Sequence, residues 1–153
     1  MPPPPDPCLS QFSDSSTGGR HFCRGTAVVL QGKGVLMLGP SGSGKSRTAL
    51  EMMAQGVRLL ADDGLWIDAD NNLHRPSEAP ALIELRGIGL LRADMSDAAV
   101  LALIVDLSRS EPDRLPPRRL AAAPGGPVPL ILGRGHPFLA PALCHYLIHG
   151  REA

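Results

Sequence analysis

Aromatic side chains are scarce in this sequence: one Trp, one Tyr and three Phe among 153 residues. So few rings supply no stacking platform of the kind that holds unpaired bases. Neither sign of charge dominates, because 15 Lys and Arg balance 15 Asp and Glu. Without a basic excess the electrostatic footprint of a nucleic-acid binder is missing. The three cysteines, Cys8, Cys23 and Cys144, show no paired spacing. That speaks against a disulfide framework or a zinc site and for reduced thiols packed as small apolar groups. No apolar run reaches the roughly 18 residues of a membrane span. The opening Met-Pro-Pro-Pro-Pro-Asp has neither the basic nor the apolar region of a secretory signal, so the expected compartment is the cytoplasm.

Residues 1–19 are rich in Pro, Ser and Gly. With little apolar surface to offset ordering entropy, they read as a flexible tail. Residues 20–153 are long enough for one domain with a sizeable core, and not for two. Two short apolar runs, 26–30 and 35–38, flank Gln31-Gly32-Lys33-Gly34 and predict a β-hairpin with a four-residue loop. The second run is apolar throughout, as in a strand covered on both faces. A helix is expected over 46–55, closed by Gly56 in a left-handed conformation. Strands follow at 57–61, 65–67, 81–86, 100–107 and 128–132, with a last helix over 141–149 ended by Gly150. Strands interleaved with helices define an α/β fold.

Gly39-Pro40-Ser41-Gly42-Ser43-Gly44-Lys45-Ser46 matches G-x-x-x-x-G-K-[ST] between an expected strand and an expected helix. The glycines let successive backbone N–H groups turn inward on phosphate oxygens. Lys45 brings a point charge for the β and γ phosphates, Ser46 a hydroxyl for Mg²⁺, and the helix N-terminus a partial positive field. The ligand is therefore a nucleoside triphosphate, ATP in the simplest case. This loop alone does not fix the reaction.

Asp62 and Asp63 end the strand after that helix. A strand–helix–strand crossover makes the two strands parallel, and their C-terminal ends then share the edge where phosphates sit. One aspartate serves Mg²⁺ and the other accepts a proton from an attacking hydroxyl. A solvated Asp-Asp-Gly turn is the plainer alternative. In Ile83-Glu84-Leu85-Arg86-Gly87-Ile88-Gly89, strand alternation puts Glu84 and Arg86 on one face. Glu84 suits the metal site and Arg86 a phosphate, and the two glycines permit a loop that closes over both. An outward ion pair on an edge strand would give the same pattern.

In this order and spacing, the loop at 39–46, Leu60-Ala61-Asp62-Asp63, Glu84-Leu85-Arg86-Gly87-Ile88-Gly89 and Asp113-Arg114-Leu115 resemble the HPr kinase/phosphorylase family. The resemblance runs from about His21 to Leu115. It implies a P-loop core related to phosphoenolpyruvate carboxykinase, with a hairpin before the Walker A strand. It further implies the short form of the family that lacks the N-terminal domain, and assembly as a hexamer. The implied reaction is ATP- and Mg²⁺-dependent phosphorylation of a serine on the phosphocarrier protein HPr, which regulates carbon metabolism and the phosphotransferase system. On this match Asp63 is the base, Lys45 the P-loop lysine, Ser46 and Glu84 the magnesium ligands, and Arg114 an active-site arginine. Two positions depart from the family. Arg24 stands where it has a histidine, and an arginine does not exchange protons near neutral pH. Its Pro-Gly-Arg-Asn segment, tied to the reverse phosphorolysis, is reduced to Leu132-Gly133-Arg134-Gly135. Both argue against the reverse direction.

Three rival readings are distinguishable. A small-molecule P-loop kinase needs an arginine-rich lid, and only Arg118 and Arg119 stand together here. A regulatory GTPase needs an Asn-Lys-x-Asp motif, which this sequence does not contain. A non-catalytic nucleotide sensor would bind ATP and transfer nothing, a reading that Arg24 keeps open. The other histidines, His74, His136, His145 and His149, show no metal-ligand spacing with carboxylates.

Overall fold

The computed structural model describes residues 2–153. A short 3-10 helix, Cys8–Phe12, leads into β1 (Ser13–Thr17) and β2 (Arg20–Cys23). Then come β3 (Thr26–Leu30), β4 (Lys33–Leu38), α1 (Lys45–Met53), β5 (Arg58–Ala61), β6 (Leu65–Ile67) and β7 (Asn72–His74). The chain continues through β8 (Leu82–Leu85), β9 (Gly89–Arg92), β10 (Ala98–Asp106), β11 (Arg119–Ala121), β12 (Val128–Leu132) and α2 (Leu139–His149). Among the described residues no helix is long and apolar enough to cross a membrane.

The main sheet has ten strands in the order β1-β2-β6-β7-β10-β4-β3-β5, with β12 beside β10 and β11 beside β12. β10 is parallel to both β4 and β12. β3 is antiparallel to β4 on one side and to β5 on the other. So β4 and β5 run the same way with β3 between them. The C-terminal ends of β4, β5, β10 and β12 therefore lie along one edge, where ligands of parallel sheets bind.

Alternation along the central strands divides the core in two. Val35 and Met37 pack with both helices through Ala49, Met52, Leu143 and Leu147. Leu36 and Leu38 point the other way, toward Cys23, Leu65, Ile67, Leu73, Cys8 and Leu9. Among the described residues no α-helix contributes to that second cluster, which β2, β6 and β7 share with β10, β11 and β12. In β10, Leu101 joins one cluster and Leu103 the other. Strict alternation would place both on one face, and a bulge between them against β4 moves Leu101 across.

Several local expectations change. The segment read as a tail carries structure, because Cys8 (1% exposed) and Leu9 (5%) reach the core and β1 takes its backbone partners from β2. The β3–β4 loop has two residues rather than four, since Leu30 faces Lys33. Gln31 (φ 53°) and Gly32 (φ 75°) both take positive φ, the geometry that matches the twist of a tight hairpin. Gly56 ends α1 in the left-handed region (φ 93°) as expected.

Two expected outcomes arise here. A Cβ on Gly64 would lie 2.6 Å from Phe22 Cζ, and that ring stands edge-on to Trp66 at 5.2 Å. Gly64→Ala should cost about 1–3 kcal/mol through overpacking, read as a lowered thermal midpoint; an unchanged midpoint would mean the ring moves aside freely. Burial pushes the Cys8 and Cys23 thiols up to about 12. The unfolded chain therefore loses these protons first as the pH rises, so stability should fall from about pH 9 upward. Denaturant midpoints across that range check the sign, and both thiols should resist alkylation near pH 8 until the protein is unfolded.

Candidate active site

The loop at 39–46 leaves β4 and enters α1 at the shared sheet edge. Gly42 (φ 84°) and Gly44 (φ 99°) adopt conformations that favour glycine, and no atom lies within 4 Å of where their Cβ atoms would be. The loop thus has open space facing backbone rather than side chain. Gly44 is the N-cap of α1 and no side chain caps that end, so its first N–H groups remain available to an anion. Ser43 Oγ is buried without a hydrogen-bond partner, an orphan that a phosphate oxygen would satisfy. Lys45 Nζ donates to the carbonyls of Gly39 (2.7 Å) and Pro40 (3.2 Å), folding the ammonium over its own loop.

Asp62 follows β5 and ties the loop to the sheet. Its Oδ1 accepts from Ser46 Oγ at 2.8 Å and from Thr26 Oγ1 at 3.0 Å. Its Oδ2 accepts the backbone N–H of Glu84 at 3.3 Å. One carboxylate thereby joins the first turn of α1, the start of β3 and the β8–β9 hairpin. Thr26 is fully buried and was not foreseen from sequence; its role follows from register, since Ala27 faces Ala61. Ser46 Oγ and the Asp62 carboxylate are oxygen donors of the kind a hard cation such as Mg²⁺ takes. Glu84 is joined to them only through its backbone N–H, and the described residues hold no cluster of three or more carboxylate, His or Cys groups placed for a metal. The open loop, the uncapped end of α1 and the Ser46 and Asp62 oxygens are compatible in chemistry with a magnesium nucleotide.

Asp63, the next residue, is exposed and takes a left-handed conformation (φ 66°), which turns the chain into Gly64 and β6. Arg24 leaves β2 one residue after Cys23, whose partner is Leu65, so its backbone runs beside the Asp63–Gly64 turn. Its guanidinium pairs with Asp14 of β1. Arg86 lies in the turn between β8 and β9, where Ile88 N–H bonds the Leu85 carbonyl. The strand ends at Leu85, so the alternation that put Arg86 beside Glu84 stops one residue short of it. The glycines there close a hairpin rather than a covering loop. Arg114 is exposed, on the segment between β10 and β11. The structure thus joins Ser46, Asp62 and the Glu84 backbone directly, while Arg24, Arg86 and Arg114 stand on three separate loops.

Comparison with known proteins gives the family and the fold. Residues 17–116 match the family described as HPr Serine kinase C-terminal domain. The chain is 34% identical over 115 residues to the HPr kinase/phosphorylase of Lactobacillus johnsonii, covering 68% of this chain and 36% of that protein. It is 46% identical over 87 residues to that of Caldicellulosiruptor bescii, covering 54% of this chain and 28% of the relative. It therefore spans about a third of the length of the relatives it matches. The solved Hpr(Ser) kinase/phosphatase of Coxiella burnetii superposes with a TM-score of 0.67 at 23% identity, covering 83% of this chain and 93% of that one. At that identity the likeness speaks for a shared fold. The sequence match, which runs through the phosphate loop, the aspartate pair and the β8–β9 hairpin, places the chain in the HPr serine kinase C-terminal domain family.

Proposed function

We propose that this domain transfers the terminal phosphoryl group of ATP to a serine of HPr. The observation that carries the reading is the Asp62 carboxylate bonded at once to Ser46 Oγ (2.8 Å) and Thr26 Oγ1 (3.0 Å). It couples the loop hydroxyl to a strand-end acid, as nucleotide-dependent phosphoryl transfer requires. The core is read as a P-loop fold of the HPr kinase and phosphoenolpyruvate carboxykinase type, with the β3–β4 hairpin before the Walker A strand, in a single domain that takes in the N-terminal segment, since Cys8 and Leu9 lie in its core.

In this reading the N–H groups of residues 42 and 44–46 and the Lys45 ammonium hold the β and γ phosphates, the Ser43 N–H being used by the Pro40 carbonyl. Ser46, Asp62 and Glu84 hold Mg²⁺, which when bound neutralises charge on those oxygens. Asp63, free of Asp62's hydrogen-bonded network, takes the proton of the attacking serine hydroxyl. The serine oxygen bonds to phosphorus as the bond to ADP breaks. Arg86 and Arg114, both exposed, are assigned to phosphate oxygens by the same reading, and Arg24 would have to leave Asp14 to join them. The forward direction is favoured, since Arg24 cannot take up and release a proton where the family has histidine. A cytoplasmic setting and a hexameric assembly belong to the same reading and rest on family resemblance.

Labelled ATP, Mg²⁺ and HPr from the same cell test it. Label on HPr is the expected result, with little reversal on adding inorganic phosphate. ATP binding without transfer would instead mark a nucleotide sensor.

A further inference from the structure

The end of β10 lies against the phosphate loop. Asp106, its last residue, is level with Leu38 of β4, and the Leu107 N–H bonds the Leu38 carbonyl at 2.7 Å. A Cβ on Gly39 would come within 3.3 Å of Leu107 Cβ. Whatever fixes residues 106–110 therefore fixes one wall of the loop.

Asp106 is a buried carboxylate, 2% exposed. Its Oδ1 accepts Ser108 N–H at 2.8 Å and Ser108 Oγ at 2.5 Å, and its Oδ2 accepts Arg109 Nε at 2.8 Å. The same guanidinium reaches out through Nη1 to Asp6 Oδ2 at 2.9 Å. Arg109 is thus a bridge between an acid at the sheet edge and an acid 103 residues away in the N-terminal segment. Its main chain continues the connection: Arg109's carbonyl accepts Arg134 N–H at 3.0 Å, and Asp106's carbonyl accepts Gly133 N–H at 2.9 Å. Ser110 Oγ bonds the Arg134 carbonyl at 3.0 Å.

Asp6 is itself anchored. Its N–H bonds the Leu120 carbonyl and its carbonyl accepts Ala122 N–H, both at 2.8 Å. Its Oδ1 caps Cys8 N–H at 2.9 Å, and Cys8 and Leu9 fill the core beneath. The Arg109 guanidinium beside it holds the Asp6 carboxyl below its ordinary range, so the bridge is charged at neutral pH. Further along the same connection, Glu111 grips Arg119 through two bonds of 2.8 and 2.9 Å. The span carrying Arg114 is therefore tied at both ends.

We propose that Asp6, acting through Arg109 and Asp106, is a positioning residue that sets the β10–β11 connection and its Arg114 against the phosphate loop. The N-terminal segment is then a strap on the catalytic edge rather than a tail. The idea rests on the kinase reading for its kinetic outcome, and its structural outcome stands apart from that reading.

The test is Asp6→Asn with Asp6→Glu beside it, in the full chain. The amide keeps the backbone bonds and the cap on Cys8 but loses the charge that draws Arg109. Asp6→Asn should lower kcat for transfer to HPr by roughly tenfold, the factor corresponding to about 1.4 kcal/mol, with KM for ATP nearly unchanged and circular dichroism retained. Asp6→Glu should recover part of the rate. Amide hydrogen exchange should quicken at residues 107–115 in Asp6→Asn and not in β3 or β4. Wild-type kcat together with unchanged exchange at 107–115 would overturn the proposal. So would a rate loss fully accounted for by an unfolded fraction, or one that Asp6→Glu shares in full. If the wild-type protein transfers nothing, the kinase reading fails alone, and the exchange result still decides whether the strap holds the connection.

Discussion

Lys45→Ala should lower ATP-dependent transfer by on the order of 10²–10³-fold, the usual scale for removing one preorganised charge or donor at developing negative charge. The ammonium lies over the mouth of the loop, on the carbonyls of Gly39 and Pro40. Those carbonyls are weak partners for a full positive charge. Exchange of them for phosphate oxygens is therefore favourable, and the charge is worth most where water is excluded. The variant should fold, because Lys45 is the first residue of α1 and alanine is the best helix former. Single-turnover transfer, set beside a thermal melt, separates lost chemistry from lost structure. Retained turnover in a folded variant would remove the phosphate loop from the mechanism.

Asp63→Asn should cost about 10²–10⁴-fold in kcat, the range for a general base, and leave ATP affinity close to wild type. Asparagine is the informative replacement. Asp63 has φ 66°, and among residues with a side chain asparagine tolerates that region as well as aspartate. The turn into Gly64 is kept, so the variant changes proton acceptance and little else. Asp62 offers no such clean experiment, since its carboxylate accepts from Ser46, Thr26 and Glu84 together. A full rate for Asp63→Asn would move the base to another residue.

How far the sequence foretold this site depends on how local each cause is. The loop at 39–46 was legible as a motif because phosphate binding would fix residue types at fixed spacing, and Gly42 and Gly44 do take the positive φ that only glycine adopts readily. Asp62 and Asp63 were legible as the end of a strand running with β4. That β3 lies between those strands was not, because an inserted antiparallel strand leaves no mark on either neighbour's sequence. Thr26 was missed for the same reason: a threonine opening a strand is ordinary, and only the pairing of Ala27 with Ala61 brings it to Asp62.

Arg86 shows the limit of alternation. The period-two rule holds only while the strand lasts, and Gly87 (φ 81°) turns the chain first. The first strand was hidden because Ser13–Thr17 is polar throughout and is ordered by backbone bonds to β2, which polarity does not record. Its Asp14 then takes up the charge of Arg24, a pairing no sequence spacing announces. Asp106 was likewise invisible as a site residue, since its partners Arg109 and Asp6 come together only through the fold.

In the proposed reaction the loop at 39–46 and the aspartates after β5 pass a phosphoryl group from ATP to a protein serine. Peptide mapping of HPr after incubation with this protein, ATP and Mg²⁺ tests it most directly. One phosphate on a single HPr serine, absent when Lys45→Ala replaces the wild type, is the predicted result. Unmodified HPr under conditions where the wild-type protein demonstrably binds ATP would contradict it.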